Sequence, residues 1–195
     1  MKIKPINFSK LTYINNKKIS IIKETRNPIR MGQFFDLYLK GRKEIPNLWY
    51  IILHVDYAYE NLHKLRFLKD NKILAGYTYK LRHNRLGERS LYIDGLAKDL
   101  KNPKSKNIMP KIYSDIKNTA LKHKAKEITL FVYAQDKHLK NKYESLGFKQ
   151  DTRTKIEDLD LMRVRTDDFL NNKYFKTLQY KSVTGIKSIL QKLQK

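Results

Sequence analysis

The sequence predicts an α+β fold. Two consecutive β-hairpin patterns lie between residues 65 and 97, and an amphipathic helix leads directly into a nearly continuous apolar strand between 108 and 134. No internal repeat, low-complexity tract or Pro/Gly/Ser-rich linker divides the chain. Its 195 residues, 41% of them apolar, are enough for one domain with a sizeable core and too apolar for a disordered chain.

In chain order, Lys18 to Glu24 (KISIIKE) reads as a short strand. Asn27-Pro28 ends it, and Pro28 opens a helix carrying Ile29, Phe34, Leu37 and Tyr38, closed by Gly41 and Pro46. From Leu48 the residues Ile51, Ile52, Val55, Tyr59 and Leu62 recur at helical spacing, although the β-branched run beside Trp49 and Tyr50 also suits a strand. Leu65 to Leu68 and Ile73 to Leu81 flank Asp70-Asn71, a good hairpin turn. A Gly-containing loop (NRLGE, 84 to 88) leads to a strand from Ser90 to Ala97, in which Gly95 marks a bulge or a close backbone approach. Residues 98 to 107 form a basic loop. Ile112, Ile116, Ala120 and Leu121 then give one face of a helix over 108 to 124, with Pro110 tolerated in its first turn. Glu127 to Ala134 (EITLFVYA) reads as a strand buried on both faces. A short helix capped by Gly147, strands over 148 to 155 and 160 to 165, and a basic helical extension over 166 to 195 complete the chain.

The 42 Lys and Arg exceed the 19 Asp and Glu by 23 charges, a field that attracts phosphates on a nucleotide, a nucleic acid or an anionic membrane. Lys outnumbers Arg 32 to 10 beside abundant Asn, Ile and Tyr, so composition alone also accounts for the excess. With no cysteine there is no disulfide, thiolate nucleophile or Cys-based metal site. No two histidines among His54, His63, His83, His123 and His138 stand three to five apart, and no metal is expected. No apolar run approaches the roughly 20 residues that span a bilayer, and the first ten residues hold no apolar signal core. The expectation is a cytoplasmic protein without a membrane span.

The order of elements, together with KYESLGF at 142 to 148, resembles the GCN5-related N-acetyltransferase (GNAT) family over about residues 17 to 165. Tyr143, Glu144, Gly147 and Phe148 match the Tyr-Glu-x-x-Gly-Phe string that ends a short helix in that family. The resemblance implies a mixed, mostly antiparallel twisted sheet flanked by helices, with acetyl-CoA or another acyl-CoA as co-substrate. It assigns residues 1 to 165 to the acyltransferase domain. The family's diphosphate loop (Arg or Gln, two residues, Gly, one residue, Gly or Ala) falls on Lys104, Ser105, Lys106, Asn107, Ile108 and Met109. Asn107 tolerates a left-handed backbone, whereas Met109 does so poorly and threatens to crowd a diphosphate. Eight lysines against the one acid, Asp115, between 101 and 126 offer charge where the family uses glycine.

Acyl transfer to an amine needs a neutral attacker, donors for the developing oxyanion and a proton for the departing thiolate. By the resemblance Tyr143 is the proton donor to the coenzyme A sulfur; its plain alternative is a tyrosine packed on the sheet. Asp94, beside Gly95, is placed to take the substrate's proton, or else to pair with a nearby lysine. A bulge there would offer backbone N–H groups around Leu96 to the acyl and pantetheine carbonyls. The function expected is an acyl-CoA-dependent N-acyltransferase for a primary amine, on a small molecule or on an anionic substrate such as an aminoacyl-tRNA. The competing expectation is a non-catalytic RNA- or ribosome-binding protein on a degenerate scaffold of this kind.

Overall fold

The structure, a computed structural model, describes residues 22 to 171. In chain order these are β1 (Lys23–Thr25), α1 (Pro28–Gly41), α2 (Leu48–Glu60), β2 (Lys64–Asp70), β3 (Lys72–His83), β4 (Arg89–Lys98), a 3-10 turn (Pro103–Ser105), α3 (Met109–Lys122), β5 (Glu127–Tyr133), α4 (Lys137–Ser145), β6 (Lys149–Ile156) and β7 (Leu159–Arg165). The strands form one sheet in the order β1-β2-β3-β4-β5-β7-β6. Every neighbouring pair is antiparallel except β4 and β5, which run parallel and need α3 as their crossover. This is the mixed, mostly antiparallel α+β architecture expected.

Local chemistry accounts for the element ends. Asn27 caps α1 by accepting from Arg30 N at 3.2 Å, with Pro28 in the first turn. Asn47 caps α2 in the same way, accepting from Tyr50 N at 2.8 Å. That cap and the helical spacing decide 48 to 60 for helix over its β-branched residues. Asn71 takes a φ of 59° at the β2–β3 turn, and Gly147 takes 99° just past α4, where most side chains are strained. The strand expected over 18 to 24 is formed only at Lys23–Thr25; residues 18 to 21, like 172 to 195 of the expected extension, lie outside the described residues.

Two cores pack on opposite faces of the sheet. One joins α3 and α4 to the strands through Ile112, Ile116, Leu91, Ile128, Met162 and Phe148. Phe169 belongs to it as well, 1% exposed, with its ring 5.5 Å from that of Phe148. The other joins α1 and α2 through Met31, Phe34, Phe35, Ala58, Leu65 and Phe67. α2 buries little besides Ala58 and leaves Leu48, Trp49, Leu53 and Tyr57 exposed.

Candidate active site

The site begins with a break in the sheet's register. Thr78 pairs with Gly95 and Tyr79 with Ile93, so Asp94 is the extra residue of a bulge. A Cβ on Gly95 would stand 3.0 Å from Thr78 Oγ1 and 3.2 Å from the Phe34 ring, so glycine is what lets α1 approach the bulged strand. β4 pairs with β5 only from Ser90 to Ile93, and from Asp94 onward its β5-facing edge is unpaired. The strands part there, and a cleft of about 1500 Å³ opens between them.

That cleft brings together Asp94, Leu96 and Tyr143, three residues the sequence singled out. Asp94 Oδ1 accepts from the Tyr92 hydroxyl at 3.1 Å, and Oδ2 stands 3.8 Å from Nδ1 of His63. His63 is wholly buried, and neither ring nitrogen has a hydrogen-bond partner among the described residues. Burial first, then the neighbouring Lys80 and Arg82 charges, push its pKa down to about 4 against the opposing pull of Asp94. At neutral pH His63 is therefore an uncharged wall behind Asp94.

Tyr143 reaches the cleft from α4. It is 7% exposed, its ring lies edge-on to Phe148 at 5.5 Å, and among the described residues nothing hydrogen-bonds its hydroxyl. Burial, with smaller contributions from Tyr113 and Tyr38, pushes its pKa well above the ordinary phenol range. The phenol is thus held protonated with its proton uncommitted. On the wall formed by α1, Arg42 donates to the Tyr38 hydroxyl at 2.8 Å and lies 4.6 Å from the centre of the Tyr133 ring.

The basic loop is a separate region, since none of residues 104 to 109 lines the cleft, which ends on that side at Lys98 and Leu100. Asn107 adopts the left-handed backbone, φ 61°, that its place in the loop asks for. Met109 is the first residue of α3 and rests its side chain, like that of Ile108, against the core. Lys104 forms an ion pair with Asp70 at the β2–β3 turn. The Ser105 hydroxyl is buried, donating to the carbonyls of Asp99 and Asn102. Lys106 stands exposed. Among the described residues no group of His, Asp and Glu could hold a metal ion, and no helix is long and apolar enough to cross a membrane.

Sequence reasoning missed His63, Tyr92, Arg82 and Tyr57, all of which meet around Asp94. Only Tyr92 left a signal, standing two residues before Asp94 on one strand and so on the same face. The others are brought in by pairing across the sheet and by α2.

No protein-family model matches the sequence, and no curated protein does so either. Solved structures do match. An acetyltransferase from Streptococcus agalactiae is 16% identical with a TM-score of 0.54, covering 76% of this chain and 99% of its own. YncA of Salmonella typhimurium, solved with its cofactor acetyl-CoA, is 10% identical with a TM-score of 0.54, covering 77% and 95%. A GNAT-family protein from Desulfovibrio desulfuricans is 10% identical with a TM-score of 0.52, covering 75% and 98%. Sheet order, bulge, parting strands and these likenesses together define the class: the chain has the GNAT fold.

Proposed function

We propose that the protein is an acyl-CoA-dependent N-acyltransferase acting on a primary amine. One observation carries this reading: the bulged strand and α4 aim a carboxylate and a protonated phenol into one cleft at the point where β4 and β5 separate. The group that fits there is an acyl-CoA. The open β4 edge around Leu96 offers backbone donors and acceptors to an amide-rich pantetheine arm. The start of α3 offers the N–H of Met109 and the positive end of a helix dipole to phosphates. Met109, packed on the core, leaves that approach clear. Lys106 and the N–H groups of Asn107 and Met109 are the contacts proposed for the diphosphate, the N–H of Ile108 being held by the Ser105 carbonyl, with Lys104 joining them by exchanging Asp70 for a phosphate.

The acyl-CoA supplies an activated thioester carbonyl. Asp94 takes a proton from the acceptor ammonium, directly or through water, and the freed nitrogen lone pair forms the N–C bond. As the C–S bond breaks, the nitrogen of the adduct sheds its second proton to solvent, Tyr143 gives its proton to the departing thiolate, and solvent restores the phenol and frees Asp94 of its proton. His63, uncharged beside Asp94, leaves the carboxylate's charge unneutralised for the incoming ammonium.

The net charge of +23 favours an acceptor that itself bears negative charge and disfavours polyamines, which the field would repel. An aminoacyl-tRNA is one such acceptor. The same field supports the second reading, a non-catalytic RNA-binding protein. Calorimetric titration separates them: acetyl-CoA or a longer acyl-CoA should bind in the low-to-middle micromolar range, about −7 to −8 kcal/mol. No heat and no thermal shift at about millimolar acyl-CoA would leave only the second reading.

A further inference from the structure

The α1/α2 face of the cleft holds a charged group to which acyl transfer from a thioester gives no task. Arg82, from β3, lays its guanidinium over the Tyr92 ring with Cζ 3.7 Å from the centroid. Among the described residues it takes part in no ion pair, and it lines the cleft. Stacking on an aromatic face fixes the guanidinium plane and leaves its edge, a fork of N–H donors, unsatisfied. Such a fork matches a carboxylate or a phosphate bidentately.

Its neighbours define what else would be bound. The Tyr92 hydroxyl, at the far end of the ring beneath Arg82, donates to Asp94 Oδ1. One tyrosine ring therefore separates a guanidinium in search of an anion from the carboxylate that receives the amine. Tyr57 stands near enough for both the Asp94 and the Arg82 charges to act on its phenol. Tyr57 and Leu53, 44% and 48% exposed on α2, complete this end of the cleft with apolar surface. Two other cations on this face are already engaged, Lys80 by Asn61 Oδ1 at 2.9 Å and Arg42 by Glu44 at 3.2 Å.

We infer that the acceptor is a small amine carrying an anionic group, carboxylate or phosphate-like, on the carbon next to the nitrogen, together with an apolar substituent. The ammonium meets Asp94, the anion meets Arg82 and the apolar group rests on Leu53 and Tyr57. An α-amino acid with an apolar side chain is the simplest such molecule, and its product is the N-acyl amino acid. This assignment rests on the acyl-transfer reading and narrows it, because an aminoacyl-tRNA ester has no free carboxylate beside its amine.

The test uses the full chain with leucine, leucinamide and 1-amino-3-methylbutylphosphonate as acceptors. Binding is titrated with and without coenzyme A. Turnover of acetyl-CoA is followed as released thiol, to which a chain without cysteine adds no background. Leucine should bind and turn over at least about tenfold better than leucinamide. Arg82→Gln should shrink that advantage below about twofold, mainly through KM, and Arg82→Lys should keep part of it. Arg85→Gln, in the exposed β3–β4 turn, should keep all of it. A phosphonate that outperforms leucine supports the same site with phosphate as its natural anion. Leucinamide equal to leucine in both readouts, an advantage that survives Arg82→Gln, or use of leucyl-tRNA with neither small anionic amine bound would overturn the assignment. Failure of the acyl-transfer reading is separate, because acetyl-CoA would then not bind, and leucine against leucinamide still decides the role of Arg82.

Discussion

On the α3 face of the sheet Arg66 gives Asp115 two hydrogen bonds, of 2.7 and 2.8 Å, and the Tyr77 hydroxyl, itself in contact with Thr119, gives Asp115 a third at 2.8 Å. Glu24 adds a contact to Arg66 at 3.1 Å and accepts from Tyr79 at 2.7 Å. On the α1/α2 face Asp94 receives one hydrogen bond from Tyr92 and faces a histidine without partners, while Arg82 has no ion pair among the described residues. The residue types are much the same on both faces. Pairing a buried charge completely spends it on holding α3 to the strands, whereas a partly satisfied cluster is costly to keep and gives a ligand something to complete. The pKa values follow. The Tyr79 and Arg66 hydrogen bonds and the nearby cations outweigh burial and hold Glu24 down at about 2, whereas burial prevails at His63 and pushes it down to about 4.

The largest expected effect is on the paired face. Asp115→Ala strips Arg66 of its bidentate partner in a nearly enclosed site and should cost about 3 kcal/mol or more of stability in a urea melt. A loss below about 1 kcal/mol would mean that α3 is anchored by its apolar face alone.

Acid should separate the faces next. His63 is uncharged in the fold and binds a proton near pH 6.5 when unfolded, so between 6.5 and about 4 the unfolded state holds more protons. Stability is therefore full above about 6.5 and falls as pH drops toward 4, by on the order of 3 kcal/mol. Glu24, lowered from 4.5 to about 2, supports the fold above 4.5 and loses its contribution as pH falls to 2. His63→Asn should flatten the upper window and leave the lower one. Unchanged curvature in the upper window would show that His63 is protonated in the fold.

Tyr143→Phe should lower turnover about a hundredfold, equivalent to about 2.7 kcal/mol, with little change in acyl-CoA affinity, because the proton it gives matters at C–S cleavage and not in the ground state. Unchanged turnover in an active protein would assign Tyr143 to packing against Phe148.

The smallest effect concerns the basic field. Deleting 172 to 195, which removes Lys173, Lys176, Lys181, Lys187, Lys192 and Lys195 and spares the buried Phe169, should shorten the salt dependence of tRNA binding while acyl-CoA binding persists. Each phosphate that the shortened chain no longer neutralises changes the log–log slope by about 0.7 to 0.9. No tRNA binding by the full chain at low salt would make the charge a matter of composition.

Legibility followed sequence distance. The Asp70-Asn71 turn, the helix opened by Pro28 and the cap at Gly147 are written within four or five residues, because φ preferences and hydrogen bonds between near neighbours set them. The Gly95 bulge was visible for the same reason, and with it Asp94 and Leu96; Tyr143 came from the short string around Gly147. The loop was only half legible. Asn107 took the expected conformation, but the ion pair of Lys104 spans 34 residues to Asp70, and the inward turn of Met109 depends on a core that sequence does not display.

By itself, then, the sequence determined the element order and the bulge, since period, turn residues and backbone constraint act locally, while its resemblance to the GNAT family singled out Tyr143. Only the tertiary structure decided that β4 and β5 part after Ile93, that His63 stands neutral behind Asp94, and that Arg82 lies stacked on Tyr92 with its donor edge open. Those facts arise from strand pairing and burial, which join residues tens of positions apart and fix which charges are satisfied and which stay open to a ligand.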